Sequence, residues 1–202
     1  RSKNEKNVDR VLSHPHIENS RFNKALIEGI KELSHVTIRH LDALYGSDTK
    51  AFDIAKEQRY LLEHERIVFQ FPWYWYSAPA MLKGYQDEVF SYGFAFGTSG
   101  DKLSGKEFKI VTTIGASELA YQAGGWNLKS MNELLSPFQS MCNMTGMTYT
   151  RAFKVHGVGI MSDEELGQYV ALYKEELLDT SWDNGLIKYY RKMNEEAIKS
   201  RS

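Results

Sequence analysis

Five short apolar segments punctuate the chain, and stretches with helical spacing fill the gaps between them. Residues 8–13, 36–41, 67–71, 108–113 and 149–155 have strand length and are rich in β-branched or aromatic side chains. Leu26, Ile30 and Leu33 recur at three- and four-residue spacing after the first segment; Ile54, Tyr60, Leu61 and Leu62 follow the second, and Met81, Leu82, Tyr85 and Val89 the third. Between 127 and 147, Met131, Leu134, Leu135, Phe138 and Met141 continue the pattern, and Pro137 predicts a kink or break in that helix. Ser162-Asp163-Glu164-Glu165 has Ser at the cap and Glu three positions on, a capping box that opens a last crossover through Leu166, Val170, Tyr173 and Leu177. Beyond Thr180 the tail, with Trp182, Ile187, Tyr190 and Met193, predicts a helical extension over 180–202 packed on the body, while polar residues 1–6 predict a flexible start.

Strands alternating with helices predict an α/β fold, a parallel sheet with helices on both faces, in a single domain over 1–202. One segment breaks the rule. Asp9 and Arg10 fall where a central parallel strand is continuously apolar, so the first strand is expected to be short or distorted in its amino-terminal half. Five parallel strands leave two doubly wound orders, and the turn after the first strand separates them. A dinucleotide-binding fold places G-x-G-x-x-G there, whereas this chain has His14-Pro15-His16-Ile17-Glu18-Asn19-Ser20-Arg21-Phe22-Asn23, with no glycine. The expected three-layer order is therefore 2-1-3-4-5. Ser20 and Asn23 either cap the following helix or, with its free N–H groups, hold a phosphate.

Composition narrows the partners. With 25 Lys and Arg against 26 Asp and Glu, the net charge of -1 gives no reason to expect nucleic acid or an anionic membrane surface. A lone cysteine, Cys142, makes neither an internal disulfide nor a thiolate metal cluster, so a reducing cytoplasm is the expected compartment. His14 and His16 are spaced for a metal pair but lack an evident third ligand, and no metal is expected.

The sharpest local signal is Phe71-Pro72-Trp73-Tyr74-Trp75-Tyr76-Ser77-Ala78-Pro79, an apolar strand running into an aromatic loop closed by proline. Ligands of open α/β sheets sit at such carboxyl ends, and these aromatics suit a flat ring or else fill a core or an interface. Together with the 14–23 turn, Thr112-Thr113-Ile114-Gly115 and Tyr121-Gln122-Ala123-Gly124-Gly125, it resembles the flavodoxin-like NAD(P)H:quinone oxidoreductases from about residue 8 to 158. That family includes enzymes of the DT-diaphorase type, a bacterial general stress protein and ancillary proteins of potassium-efflux systems.

The resemblance implies a flavin, FMN with FAD possible, reduced by NADPH or NADH and reoxidised by a quinone or similar acceptor in a two-electron ping-pong cycle. It places His14, Ser20, Arg21, Phe22 and Asn23 around the flavin phosphate and Gln58 near the cofactor. Pro72, Trp73, Tyr74, Trp75 and Tyr76 would lie along one edge of the ring, with main-chain groups reaching its heteroatoms, and Thr112, Thr113, Ile114 and Gly115 along the other, through backbone N–H groups. Tyr121 would be the catalytic residue, accommodating charge on the ring. It also implies a homodimer, with Phe94 and Phe96 of Tyr92-Gly93-Phe94-Ala95-Phe96-Gly97 near the interface, and leaves a membrane antiporter as a possible partner in a regulatory role. Ile114 stands where relatives often have glycine, and Trp126 or Asn127 where DT-diaphorase has a histidine, so a two-residue proton relay does not carry over; a member that no longer binds flavin is a third reading.

Overall fold

A computed structural model of the chain describes residues 6–180, 182, 194, 195, 198 and 199. β1 (Val8–Leu12), β2 (Val36–His40), β3 (Arg66–Pro72) and β4 (Glu107–Ile114) form one parallel sheet in the order β2-β1-β3-β4. The expected fifth strand is two pieces, β5 (Thr148–Tyr149) and β6 (Phe153–His156), and both pair with β4. At the break Thr150 keeps its N–H on the Phe108 carbonyl at 2.8 Å and adds its hydroxyl to the same carbonyl at 2.7 Å. The Lys109 ammonium takes the next free carbonyl, that of Arg151, at 2.6 Å. The order agrees with 2-1-3-4-5, extended by a sixth strand.

Successive strand residues face opposite sides, so the sheet divides two apolar clusters. On one face α1 (Arg21–Ile30) and α7 (Asp163–Leu178) pack together over Val8, Val68, Val111 and Val155. On the other, α3 (Ile54–Glu63) and α4 (Ala80–Val89) cover Val11, Phe69 and Ile110. There Phe69 meets Tyr85 and Phe108 edge-on, with centroids 6.0 and 4.9 Å apart. The short helix α2 (Leu41–Tyr45) ends β2 at His40. Pro137 acts as predicted: the helix is interrupted at Leu135, between α5 (Met131–Leu134) and α6 (Ser136–Thr145), and the proline sits in the first turn of α6, where its missing N–H costs nothing. Ser162 caps α7 with the reciprocal Glu165 bond.

The first strand is neither short nor distorted. β1 pairs in register with β2 and β3 over its whole length, because the backbone ladder forms whatever the side chains are. Asp9 and Arg10 are buried on opposite faces and cannot pair with each other. Among the described residues no hydrogen-bond partner meets either Asp9 carboxylate oxygen or any Arg10 guanidinium nitrogen. Asp9 faces Tyr85 and the ion pair of Arg39 with Glu57, where the guanidinium and carboxylate meet at 2.5 Å. Arg10 lies over the Tyr173 ring at 5.8 Å. Of the expected extension, Trp182 packs on the body, with the Arg66 guanidinium 4.2 Å over its ring. Ile187, Tyr190 and Met193 lie outside the described residues.

Candidate functional site

The carboxyl ends of β1, β3, β4 and β6 open on one cavity of ≈ 870 Å³, at the upper end of the range for small-molecule sites. Its floor is Thr113 and Gly115, one wall is Pro72, Trp73 and Tyr74, and its far end is His14 with the start of α1. The loop from Val158 to Met161 forms the opposite wall.

The α1 end is a set of hydrogen-bond donors. Asp42 holds the turn by accepting from the Ser13 hydroxyl at 2.9 Å and the His14 N–H at 2.8 Å. The His16 N–H donates to His14 Nδ1 at 3.1 Å, which leaves the proton of the neutral ring on Nε2. Burial pushes the His14 pKa down against the pull of Asp42, so the ring is neutral near pH 7. Ser20 caps α1, accepting from the Asn23 N–H at 3.1 Å and from Asn23 Nδ2 at 3.0 Å. The N–H groups of Arg21 and Phe22, at the first two helical positions, have no carbonyl within the helix to bond, and both residues line the cavity. A positive helix end beside an imidazole N–H is an anion site.

Two expected phosphate ligands are otherwise engaged. The Asn23 amide is taken up inside the protein, by Ser20, by Thr113 Oγ1 at 3.2 Å and by Gln70 Nε2 at 3.0 Å. The Arg21 guanidinium turns away to the Asp163 carboxylate at 2.9 Å and to the Met161 carbonyl, tying the 158–161 loop to α1. Arg21 therefore offers its main chain, not its charge.

At the other end the Trp73 N–H bonds the Thr113 carbonyl at 2.8 Å, extending β3 against β4 beyond Pro72. Tyr74 and Ser77 exchange both backbone bonds, at 3.0 and 2.9 Å, around a two-residue loop. Its central residues, Trp75 and Tyr76, have φ of 44° and 61°, the hand of a type I′ turn that glycine or asparagine would adopt without strain. The turn throws Trp75 into solvent, 93% exposed. Tyr76 is half-exposed and bonds Asn127 Oδ1 at 2.6 Å, fastening this turn to the loop after β4.

Of the residues expected around a ring and phosphate, His14, Ser20, Arg21, Phe22, Asn23, Pro72, Trp73, Tyr74, Thr113 and Gly115 line this cavity. Gln58, Trp75, Tyr76, Thr112, Ile114 and Tyr121 do not. Thr112 and Ile114 alternate with Thr113 and Gly115 and so face the α3–α4 core. Gln58 is spent on the Val89 carbonyl and Ser91 hydroxyl, both at 3.0 Å. Tyr121 lies beside the Trp73 indole and packs on His156, ring centroids 5.7 Å apart; burial raises its pKa and holds it protonated. Phe94 belongs to the α3–α4 core, which leaves Phe96 and Tyr92 as the exposed aromatics of that loop. The 158–161 wall escaped the sequence reading, although Gly157-Val158-Gly159 between a strand and a capping box is a loop signal.

The cavity fits a flavin phosphate on two observations. Its α1 end presents donors, and a Cβ built at Gly115 meets nothing within 4 Å, so a flat group can approach that backbone unhindered. Among the described residues no three His, Cys, Asp or Glu side chains converge as a metal site, and no helix is long and apolar enough to cross a membrane.

Known proteins resemble the chain in sequence and fold. The model of a family described as flavodoxin-like fold matches residues 6–177. An uncharacterized NAD(P)H oxidoreductase of Bacillus subtilis is 43% identical over 167 residues, 83% of this chain and 84% of that protein. A glutathione-regulated potassium-efflux system ancillary protein of Yersinia enterocolitica is 37% identical over 83% of this chain and 90% of its own length. Among solved structures, general stress protein 14 of Treponema denticola, in complex with FMN, superposes with a TM-score of 0.81 at 29% identity, covering 87% of this chain and 99% of that one. An NADPH-quinone reductase of P. pentosaceus gives 0.77 at 31% identity, covering 85% and 97%.

Proposed function

We propose that this chain, which belongs to the flavodoxin-like fold family, is an FMN-dependent NAD(P)H oxidoreductase that passes two electrons to a quinone or similar aromatic acceptor. The observation that carries the reading is the single cavity that joins an anion site at the start of α1 to an open, aromatic-walled floor at Gly115. FMN is chosen over FAD because the Treponema relative is solved with FMN. When bound, FMN would supply the two-electron relay between nicotinamide and acceptor.

The chain's own residues do the rest. His14 Nε2–H and the N–H groups of Arg21 and Phe22 would hold the phosphate, and Arg21, through Met161 and Asp163, keeps the opposite wall in place. Trp73 and Tyr74 shield one side from water, and Gly115 leaves the main chain bare to the ring. Tyr121 reaches the cavity only through Trp73, so its role is to position that indole. One cavity serving both substrates makes the cycle ping-pong: the nicotinamide leaves before the acceptor enters. Exposed Tyr92 and Phe96 suit a homodimer contact, and the buried lone thiol of Cys142 suits the cytoplasm.

The test is to incubate the protein with FMN or FAD, desalt it, record the visible spectrum, and add anaerobic NADPH or NADH and then a quinone. Retained FMN that bleaches and recovers supports the enzyme; failure to retain either flavin refutes it. Retained flavin that neither nicotinamide bleaches would favour a second, regulatory reading beside a membrane antiporter. Trp75 and Trp126, both more than nine-tenths exposed beside the site, suit such a partner.

A further inference from the structure

We propose that Tyr173 and Gln70, buried behind the cavity, fix the direction of the hydrogen bonds running through Asn23, so that the Ser20 hydroxyl can only donate into the anion end of the site. The proposal rests on the phosphate-binding reading above and makes both residues positioning residues for that phosphate.

The direction is set at the inner end. Tyr173 on α7 is fully buried, and its hydroxyl lies 3.4 Å from Gln70 Oε1. Burial pushes its pKa up to about 12, so the phenol keeps its proton. The Arg10 guanidinium over its ring carries donors only, which leaves Gln70 Oε1 as the acceptor for that proton. With Oε1 committed to Tyr173, Gln70 must turn Nε2 toward Asn23 Oδ1, at 3.0 Å. Asn23 must then turn Nδ2 toward Ser20 Oγ and Thr113 Oγ1, at 3.0 and 3.2 Å. Ser20 Oγ already accepts the Asn23 N–H at 3.1 Å, so both of its lone pairs are used. The one hydrogen it has left points at the cavity that Ser20 lines. The reverse arrangement would bury the Tyr173 proton without an acceptor. A hydroxyl free to turn would accept as readily as donate; one held as a donor selects phosphate oxygens.

The test is flavin-fluorescence titration of FMN-free protein with FMN and with riboflavin, which lacks the phosphate. Gln70→Met keeps the length but has no donor for Asn23, so the Asn23 amide is no longer held and the Ser20 hydroxyl is free to turn inward to it. FMN is expected to bind on the order of 10- to 100-fold more weakly, with riboflavin unchanged. Ser20→Ala is expected to cause the same loss, and the double variant no further loss, since both act through one hydrogen. Tyr173→Phe deletes only the inner anchor and serves if Gln70→Met does not fold; it too should weaken FMN and spare riboflavin. Equal losses for FMN and riboflavin, or additive losses in the double variant, overturn the proposal. If the wild type binds no flavin, inorganic phosphate followed by the backbone amide resonances of Ser20, Arg21 and Phe22 separates the two ideas. Shifts in the wild type that vanish in Gln70→Met keep the proposal and discard the flavin, whereas no shift in the wild type overturns the proposal.

Discussion

Asp9 should make this protein less stable as pH rises, and Asp9→Asn should remove that dependence. Its carboxyl sits in the central strand with no hydrogen-bond partner among the described residues. Burial first, then the nearby Glu57 carboxylate, push its pKa from 3.8 up to about 8, against the pull of Arg39. Between those values the folded chain holds a proton that the unfolded chain has released. The unfolded state binds fewer protons, so unfolding free energy falls by about 1.4 kcal/mol per pH unit from about pH 4 to about pH 8. By pH 7 the accumulated loss is roughly 4 kcal/mol, a large share of the 5–15 kcal/mol typical of a domain. Asparagine has the same shape and no proton to lose. The assay is urea unfolding of flavin-free wild type and Asp9→Asn at pH 5, 6, 7 and 8. The stability gap should widen in favour of the variant with each step and level off above pH 8. A gap that stays constant would refute the reasoning, because it would mean that the folded chain holds Asp9 ionised against Arg39.

The same cluster predicts that Arg39→Met, which leaves the buried Glu57 without its cation, lowers stability by about 3–5 kcal/mol in the same assay; a loss under 1 kcal/mol would count against a buried Arg39–Glu57 pair. Trp75→Gly should raise stability by about 0.5–1 kcal/mol, since it relieves a left-handed φ at a side chain with almost no packing to lose, and a lower melting temperature would contradict the strain. His14, neutral in the free site with its pKa below the usual 6.5, carries its proton on Nε2 and accepts the His16 N–H at Nδ1, so a second proton would cost that bond. FMN binding should thus take up no proton at His14 between about pH 6 and 8; calorimetry in two buffers of different ionisation enthalpy reads any uptake, and an uptake that His14→Asn abolishes would mean that the ring gives up the His16 bond.

The sheet order was legible because two independent signals agreed, the strand–helix alternation and the absence of glycine between His14 and Asn23. Capping was legible at Ser162 because Ser and Glu report a local bond. The split of the last strand was not, since Thr150 reads as an ordinary β-branched residue until its hydroxyl is seen to close on Phe108. Side-chain direction was the weaker part of the site reading. The motif 71–79 was expected to meet a ring through its main chain; Pro72, Trp73 and Tyr74 line the cavity, while Trp75 and Tyr76, in the turn of positive φ, do not. Arg21 read as a phosphate ligand because its position is right; Asp163, distant in sequence, takes its charge.

Gln70 was invisible for a different reason. It lies inside an otherwise apolar strand, where a polar residue reads as an exception to the pattern, as Asp9 and Arg10 do. The three are not equivalent. Asp9 and Arg10 have no hydrogen-bond partners among the described residues, while Gln70 is satisfied at both ends, by Tyr173 and by Asn23. The missing glycines give the difference a meaning. A glycine-rich loop offers main-chain N–H groups, whose donor direction is covalent and cannot reverse. Beside the main-chain N–H groups of Arg21 and Phe22, this turn offers a hydroxyl and an imidazole, and each of those can donate or accept. These two groups add to the discrimination of an anion only if something behind them holds their direction. For His14 that is the His16 N–H, which occupies Nδ1; for Ser20 it is the buried chain from Tyr173 through Gln70 and Asn23.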